Sequence, residues 1–62
     1  MRLDKAVQRQ IKRMGGPAWA AAETGISKRY LQRLAAGSRT NPSDETLEVL
    51  GIERQTDYKV VT

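Results

Sequence analysis

Lys28, Arg29, Gln32 and Arg33 are hydrogen-bond donors spaced at one helical turn, 28 with 32 and 29 with 33. On a helix they would share one face. A guanidinium or an ammonium can donate to O6 and N7 of guanine, and a carboxamide can pair with N6 and N7 of adenine, so such a face carries the chemistry that reads base edges in a major groove. Each good bidentate contact discriminates between bases by about 1–3 kcal/mol. Around these four stand groups suited to phosphate: the Ser27 and Ser38 hydroxyls, the Tyr30 phenol, the Arg39 guanidinium and the Thr40 hydroxyl. They would position a duplex and read nothing. Tyr30 can instead pack at the edge of a core, a capping role suffices to explain Ser27, and a solvated basic face is the bland alternative for all of them.

Whether the donors act together depends on the elements that hold them. Leu3, Val7, Ile11 and Met14 recur at spacings of four, four and three, which predicts a first helix with one apolar face. Asp4 in its first turn and Lys12 and Arg13 in its last complement the helix dipole. Arg2, Lys5, Arg9 and Lys12 form a second, basic stripe. Gly15-Gly16-Pro17 ends this helix and opens the next, an Ala-rich stretch over residues 17–24. Gly25 then breaks the chain where a positive φ is needed, Ser27 caps a third helix through Tyr30, Leu31 and Leu34, and Gly37 closes it. Ala21, four residues before Gly25, would be small because two helices cross there, while Ile26, Leu31 and Leu34 would fix the angle between them. A short helix, a tight glycine turn and another helix in about twenty residues make a helix-turn-helix over 17–36, with Ser27 to Ala36 as its reading helix. Asn41 as cap, Pro42 at the first helical position and Asp44 and Glu45 in the first turn predict a fourth helix, closed by Leu47 and Leu50 and ended by Gly51.

Here the sequence resembles the Cro and lambda-type repressor family of DNA-binding domains, also called the XRE family. Ala21, Gly25, Ile26, Leu31 and Leu34 stand at that family's motif offsets, and Gly37-Ser-Arg-Thr-Asn-Pro-Ser-Asp-Glu-Thr-Leu47 is similar to its glycine, basic loop, Asn-Pro and following helix start. The likeness covers residues 17–50 well and the first helix loosely. It implies a lambda-repressor-like, mainly α fold of four short helices around a central helix-turn-helix, and base reading by the first residues of the third helix and those one turn later. Two positions depart from the pattern. Pro17 stands where the family often has a phosphate-contacting Gln, so that contact is lost. Trp19 is large where a solvent-facing residue is usual and Ala20 small where a larger aliphatic is common, from which Trp19 is expected to turn inward and fill the space that Ala20 leaves; a Trp exposed at an interface is the alternative.

Past Gly51 the texture changes. Thr56-Asp-Tyr-Lys-Val-Val-Thr62 is rich in β-branched and aromatic residues and reads as a strand, and no other segment does. A lone strand leaves backbone groups without partners, so residues 56–61 are expected to pair across a two-fold homodimer with Tyr58 and Val60 on the buried face, as Cro dimers also use C-terminal strands. A frayed tail is the alternative. The chain then divides into a DNA-binding domain, 1–55, and a dimerisation strand, 56–62. Two reading helices related by a two-fold axis would match an inverted-repeat operator with half-sites about 34 Å apart.

Composition narrows the remaining classes. The chain has 62 residues, eleven Lys and Arg against seven Asp and Glu, a net charge of +4, and neither Cys nor His. So short a domain buries only about 60% of its unfolded surface, and without disulfide or metal the device left to it is self-association. The basic balance suits a polyanion, here double-stranded DNA; ten of the eleven cations lie between Arg2 and Arg54, while Asp44, Glu45, Glu48 and Glu53 form an acidic shoulder. An enzyme is not expected, since no nucleophile and base, metal cluster or phosphate-cradling glycine loop is present and the chain is too short to enclose a typical pocket. Neither a cofactor nor a metal nor a small-molecule effector is evident. No apolar run approaches the roughly 20 residues of a membrane span, and no leader is evident, so the expectation is a soluble, cytoplasmic protein with no membrane partner. A small regulator of phage or mobile-element type, repressing by site occupancy, is the functional expectation. The rival is a helical protein-binding module or inhibitor that sets its basic face against an acidic partner. RNA binding is disfavoured by three aromatic residues and the lack of a stacking sheet.

Overall fold

The computed structural model describes residues 2–39, 41–54 and 58–61. Four helices come first: α1 (Leu3–Arg13), α2 (Pro17–Thr24), α3 (Lys28–Ala36) and α4 (Asp44–Leu50); two short strands, β1 (Ile52–Arg54) and β2 (Tyr58–Val60), follow. The core forms where the apolar faces converge. Leu3, Ala6, Val7 and Ile11 of α1 meet Ala20 of α2, Leu31 and Leu34 of α3, Leu47 and Leu50 of α4, and Ile52 of β1. Leu31, Leu34 and Leu50 have no exposed surface. Truncating one of them to Ala costs about 2–5 kcal/mol, against a total of about 3–9 kcal/mol for a domain of this length. Met14, Ile26 and Tyr30 pack on the rim of this cluster.

Helix α1 is the post on which the others are hung, through two carboxamides on opposite flanks. Gln10, 3% exposed, donates from Nε2 to the Leu50 carbonyl at 2.6 Å, and Gln8 donates to the Ala35 carbonyl at the same distance. Both acceptors lie in the last turn of a helix, where carbonyls lack intrahelical partners. Thus α1 caps the C-terminal ends of α4 and α3 at once.

The fourth helix starts later than expected. Ser43, not Asn41, is its N-cap: Ser43 Oγ accepts from the Thr46 N–H at 3.2 Å, and Asp44 is the first helical residue. Pro42 precedes the cap and is fully buried, like Leu47, so the two occupy the N′ and N4 positions of a hydrophobic staple. Asn41 and Ser43 could both cap a helix, and with Pro42 buried it is Ser43 that does. Its carbonyl accepts from Arg54 Nη2, whose Nη1 lies 3.5 Å from Asp44 Oδ1. Arg54 therefore fastens the start of α4 to β1.

The C-terminal strand is also corrected. β2 is not alone: it pairs antiparallel with β1 in the register Ile52↔Val60, Glu53↔Lys59, Arg54↔Tyr58. Val61 N donates to the Gly51 carbonyl at 2.9 Å, extending the ladder by one bond. Tyr58 and Val60 are half-buried and pack on the chain's own core, so the face expected to meet a second copy meets α1 and the core instead. The strand expected over 56–61 is described only from 58, because 56 and 57 lie outside the described residues. No described helix is long and apolar enough to cross a membrane.

Candidate nucleic-acid interface

The junction between α2 and α3 occupies residues 25–27 and is fixed by four local bonds. Thr24 Oγ1 donates to the Ala20 carbonyl at 2.7 Å and accepts from the Ile26 N–H at 3.2 Å. Gly25 ends α2 at φ 75° with its N–H on the Ala21 carbonyl. A Cβ at Gly25 would meet nothing within 4 Å, so the glycine is required by its left-handed backbone and not by space. Ser27 then caps α3 by accepting from the Tyr30 N–H at 3.2 Å. Ala20 is fully enclosed, and Ala21 is half-buried and packed against the core. The space around Ala20 is closed by its neighbours, and Trp19 does not turn inward: it is 67% exposed, with its ring edge against Gly15. On a helix of eight residues, the small size of Ala20 lets backbones come together and leaves no volume for an indole.

Helix α3 divides cleanly. Leu31 and Leu34 are buried and Tyr30 and Ala35 half-buried, while Lys28, Arg29, Gln32, Arg33 and Ala36 are exposed. At about 100° per residue, the exposed five span an arc of about 140° with Ala36 near its middle. A methyl group there, flanked by four long donors, lets the helix axis come close to whatever the donors reach. Sequence reasoning had not included Ala36, because its value lies in what it leaves out.

The charges on this arc oppose the helix that carries them. Lys28 and Arg29 sit in the first turn of α3, which has no acidic residue. Cations at that end are unfavourable by about 0.3–1 kcal/mol each, less where solvent screens them. No carboxylate among the described residues pairs with Lys28, Arg29 or Arg33. The helix N-terminus and the two cations together make a region where an anion would be welcome.

The remaining expected contacts lie at both ends of α3. Ser27, Ser38 and Arg39 are exposed and Tyr30 is partly so. Ser38 N and Arg39 N both turn back to the Arg33 carbonyl, at 2.9 and 3.4 Å, and Gly37 has φ 84°. Past this end closure the Arg39 side chain stands in solvent. Thr40 lies outside the described residues. Tyr58 and Val60 stand apart from this surface, on β2.

Two further features flank the arc. A groove of about 510 Å³ separates the end of α1 from the start of α2 and the end of α3, with Gln8, Lys12, Pro17, Gln32 and Ala36 on its walls. Electrostatics differ sharply between the two halves of the chain: residues 2–39 hold nine Lys and Arg against Asp4 and Glu23, whereas residues 41–61 hold Arg54 and Lys59 against five acids. Among the described residues, no group of three or more His, Cys, Asp or Glu is placed to hold a metal ion. No family model matches the chain, and no curated protein or solved structure matches it either.

Proposed function

We propose that the chain is a sequence-specific binder of double-stranded DNA, acting as a small transcriptional regulator, in which α2 and α3 form a helix-turn-helix and the outer arc of α3 enters the major groove. Lys28, Arg29, Gln32 and Arg33 read base edges; Ser27, Tyr30, Ser38 and Arg39 contact the backbone. The observation that carries this reading is the pair of first-turn cations, with no carboxylate partner among the described residues, on an exposed arc centred on Ala36. Cations at a helix N-terminus are unfavourable for the helix itself, and natural sequences accept such conflicts at functional sites. Two-fold binding to an inverted repeat is part of the proposal, with a changed basis. Since Gly51 and Val61 are hydrogen-bonded, the backbone groups of Val60 point to the outer edge of β2, and the sheet has two strands among the described residues. A second copy would pair there through its backbone, and a strand of three residues makes that contact small.

Selection from a pool of random duplexes at physiological salt tests both parts. Specific reading yields a consensus, and two-fold binding yields it twice in inverted orientation, about one helical turn apart. A single unrepeated half-site would remove the dimer and keep the reader. Absence of any consensus, with binding that merely weakens as salt rises, would sink base reading and leave a basic module for acidic partners as the better account.

A further inference from the structure

We infer that Gln8 is a positioning residue for the reading helix: its hydrogen bond to the Ala35 carbonyl sets the pose of α3 and thereby the selectivity of the interface. This rests on the proposed reading of bases by α3. Of the carbonyls at the end of that helix, Arg33 O receives the Ser38 N–H, Leu34 O receives the Gly37 N–H at 3.2 Å, and Ala35 O receives Gln8 Nε2 at 2.6 Å. The first two bonds are local and move with the helix. The third comes from 27 residues away, so among these end bonds it alone refers the helix to a fixed body. Leu31 and Leu34 hold α3 on its buried side, but apolar contacts are non-directional and tolerate a small roll or tilt. A single directional bond at the far end from the Ser27 cap removes that freedom.

The bond also stands beside the reading surface. Gln8 and Gln32 line the same groove, together with Ala35 and Ala36 at the end of α3. Gln8 is exposed overall, so its bond is open to competition from water and adds little to global stability. Its value lies in orientation: donors misplaced by about 1 Å or 10–20° lose the geometry that a bidentate contact needs.

The test compares wild type, Gln8→Ala and Gln8→Arg, the last restoring a donor of sufficient reach. The duplexes are the site selected by wild type and a scrambled duplex of equal length. Residual dipolar couplings on the free proteins give the angle between α1 and α3. Gln8→Ala is expected to unfold cooperatively near the wild-type temperature, to change the interhelical angle, and to lose up to about fivefold in the ratio of selected to scrambled affinity, with the salt slope unchanged; Gln8→Arg recovers most of the ratio. An unchanged angle and ratio in Gln8→Ala would overturn the inference while base reading stands. Equal loss on both duplexes would also overturn it, showing a stability effect alone. If wild type itself does not separate the two duplexes, base reading and this inference fall together, even where the angle moves.

Discussion

If the α3 arc reads DNA as proposed, single residues decide what it can discriminate and what it can only hold. Gln32→Ala removes one carboxamide from an exposed position and should relax preference at one base pair in each half-site, leaving scrambled-duplex affinity nearly intact. Arg39→Ala should weaken all duplexes alike and reduce the slope of log affinity against log salt by about one, as measured by fluorescence anisotropy over a salt series. Side chains of this kind were legible from spacing alone, because exposure on a short amphipathic helix follows directly from where its leucines lie. Trp19 was not. Its size suggested burial, but its place beside Ala18 and Ala22 on the outer side of α2 leaves it 67% exposed. Trp19→Ala should accordingly shift the thermal midpoint little, and loss of several degrees would return the indole to the core.

Elements are held by caps and by α1, and their stabilities can be set against their use. Gly25→Ala finds open space but a left-handed backbone, so it should cost about 1 kcal/mol, near 4–8 °C in midpoint for a domain this small. Lys28→Ala should do the opposite, raising the midpoint slightly by relieving the first turn of α3 while lowering affinity for the selected duplex. Calorimetry with binding measurements on the same sample checks both directions, and a fall in both quantities would show that Lys28 serves the fold. The extents of α1, α2 and α3 could be read because glycine and proline punctuate them. The start of α4 was misplaced because Asn41, Pro42 and Ser43 are all competent to open a helix, and β1 was missed because Ile52-Glu53-Arg54 has one β-branched residue and two charges. Gln8, Gln10 and Arg54 act through partners that only folding brings near, and no local pattern marks them.

For the whole molecule, the governing feature is that charge is unevenly divided along a chain that shares one core. The half containing α1 to α3 is strongly basic, and the half containing α4 and the sheet is acidic. A duplex would thus be approached with one side forward, and the acidic shoulder would be kept away from phosphate. The corrected pairing of β2 changes what truncation means: removing residues 56–62 takes away a strand that packs on α1, so lower stability is expected before any change in association. Sedimentation of the full chain, free and with its selected duplex, is the better probe of two-fold assembly. With only a three-residue edge to join copies, free protein should be largely monomeric at micromolar concentration and two copies should assemble on an inverted repeat. Two copies that arrive independently on separated half-sites would show that the strand edge has no part.

The measurement that bears most directly on the central claim is duplex selection run side by side for wild type and Gln32→Ala, with the folded state of each confirmed beforehand. If the outer arc of α3 reads base edges, the two consensus sequences agree everywhere except at one symmetry-related base pair, where the variant accepts more than one base. Identical consensus sequences, or no consensus from wild type, would contradict it.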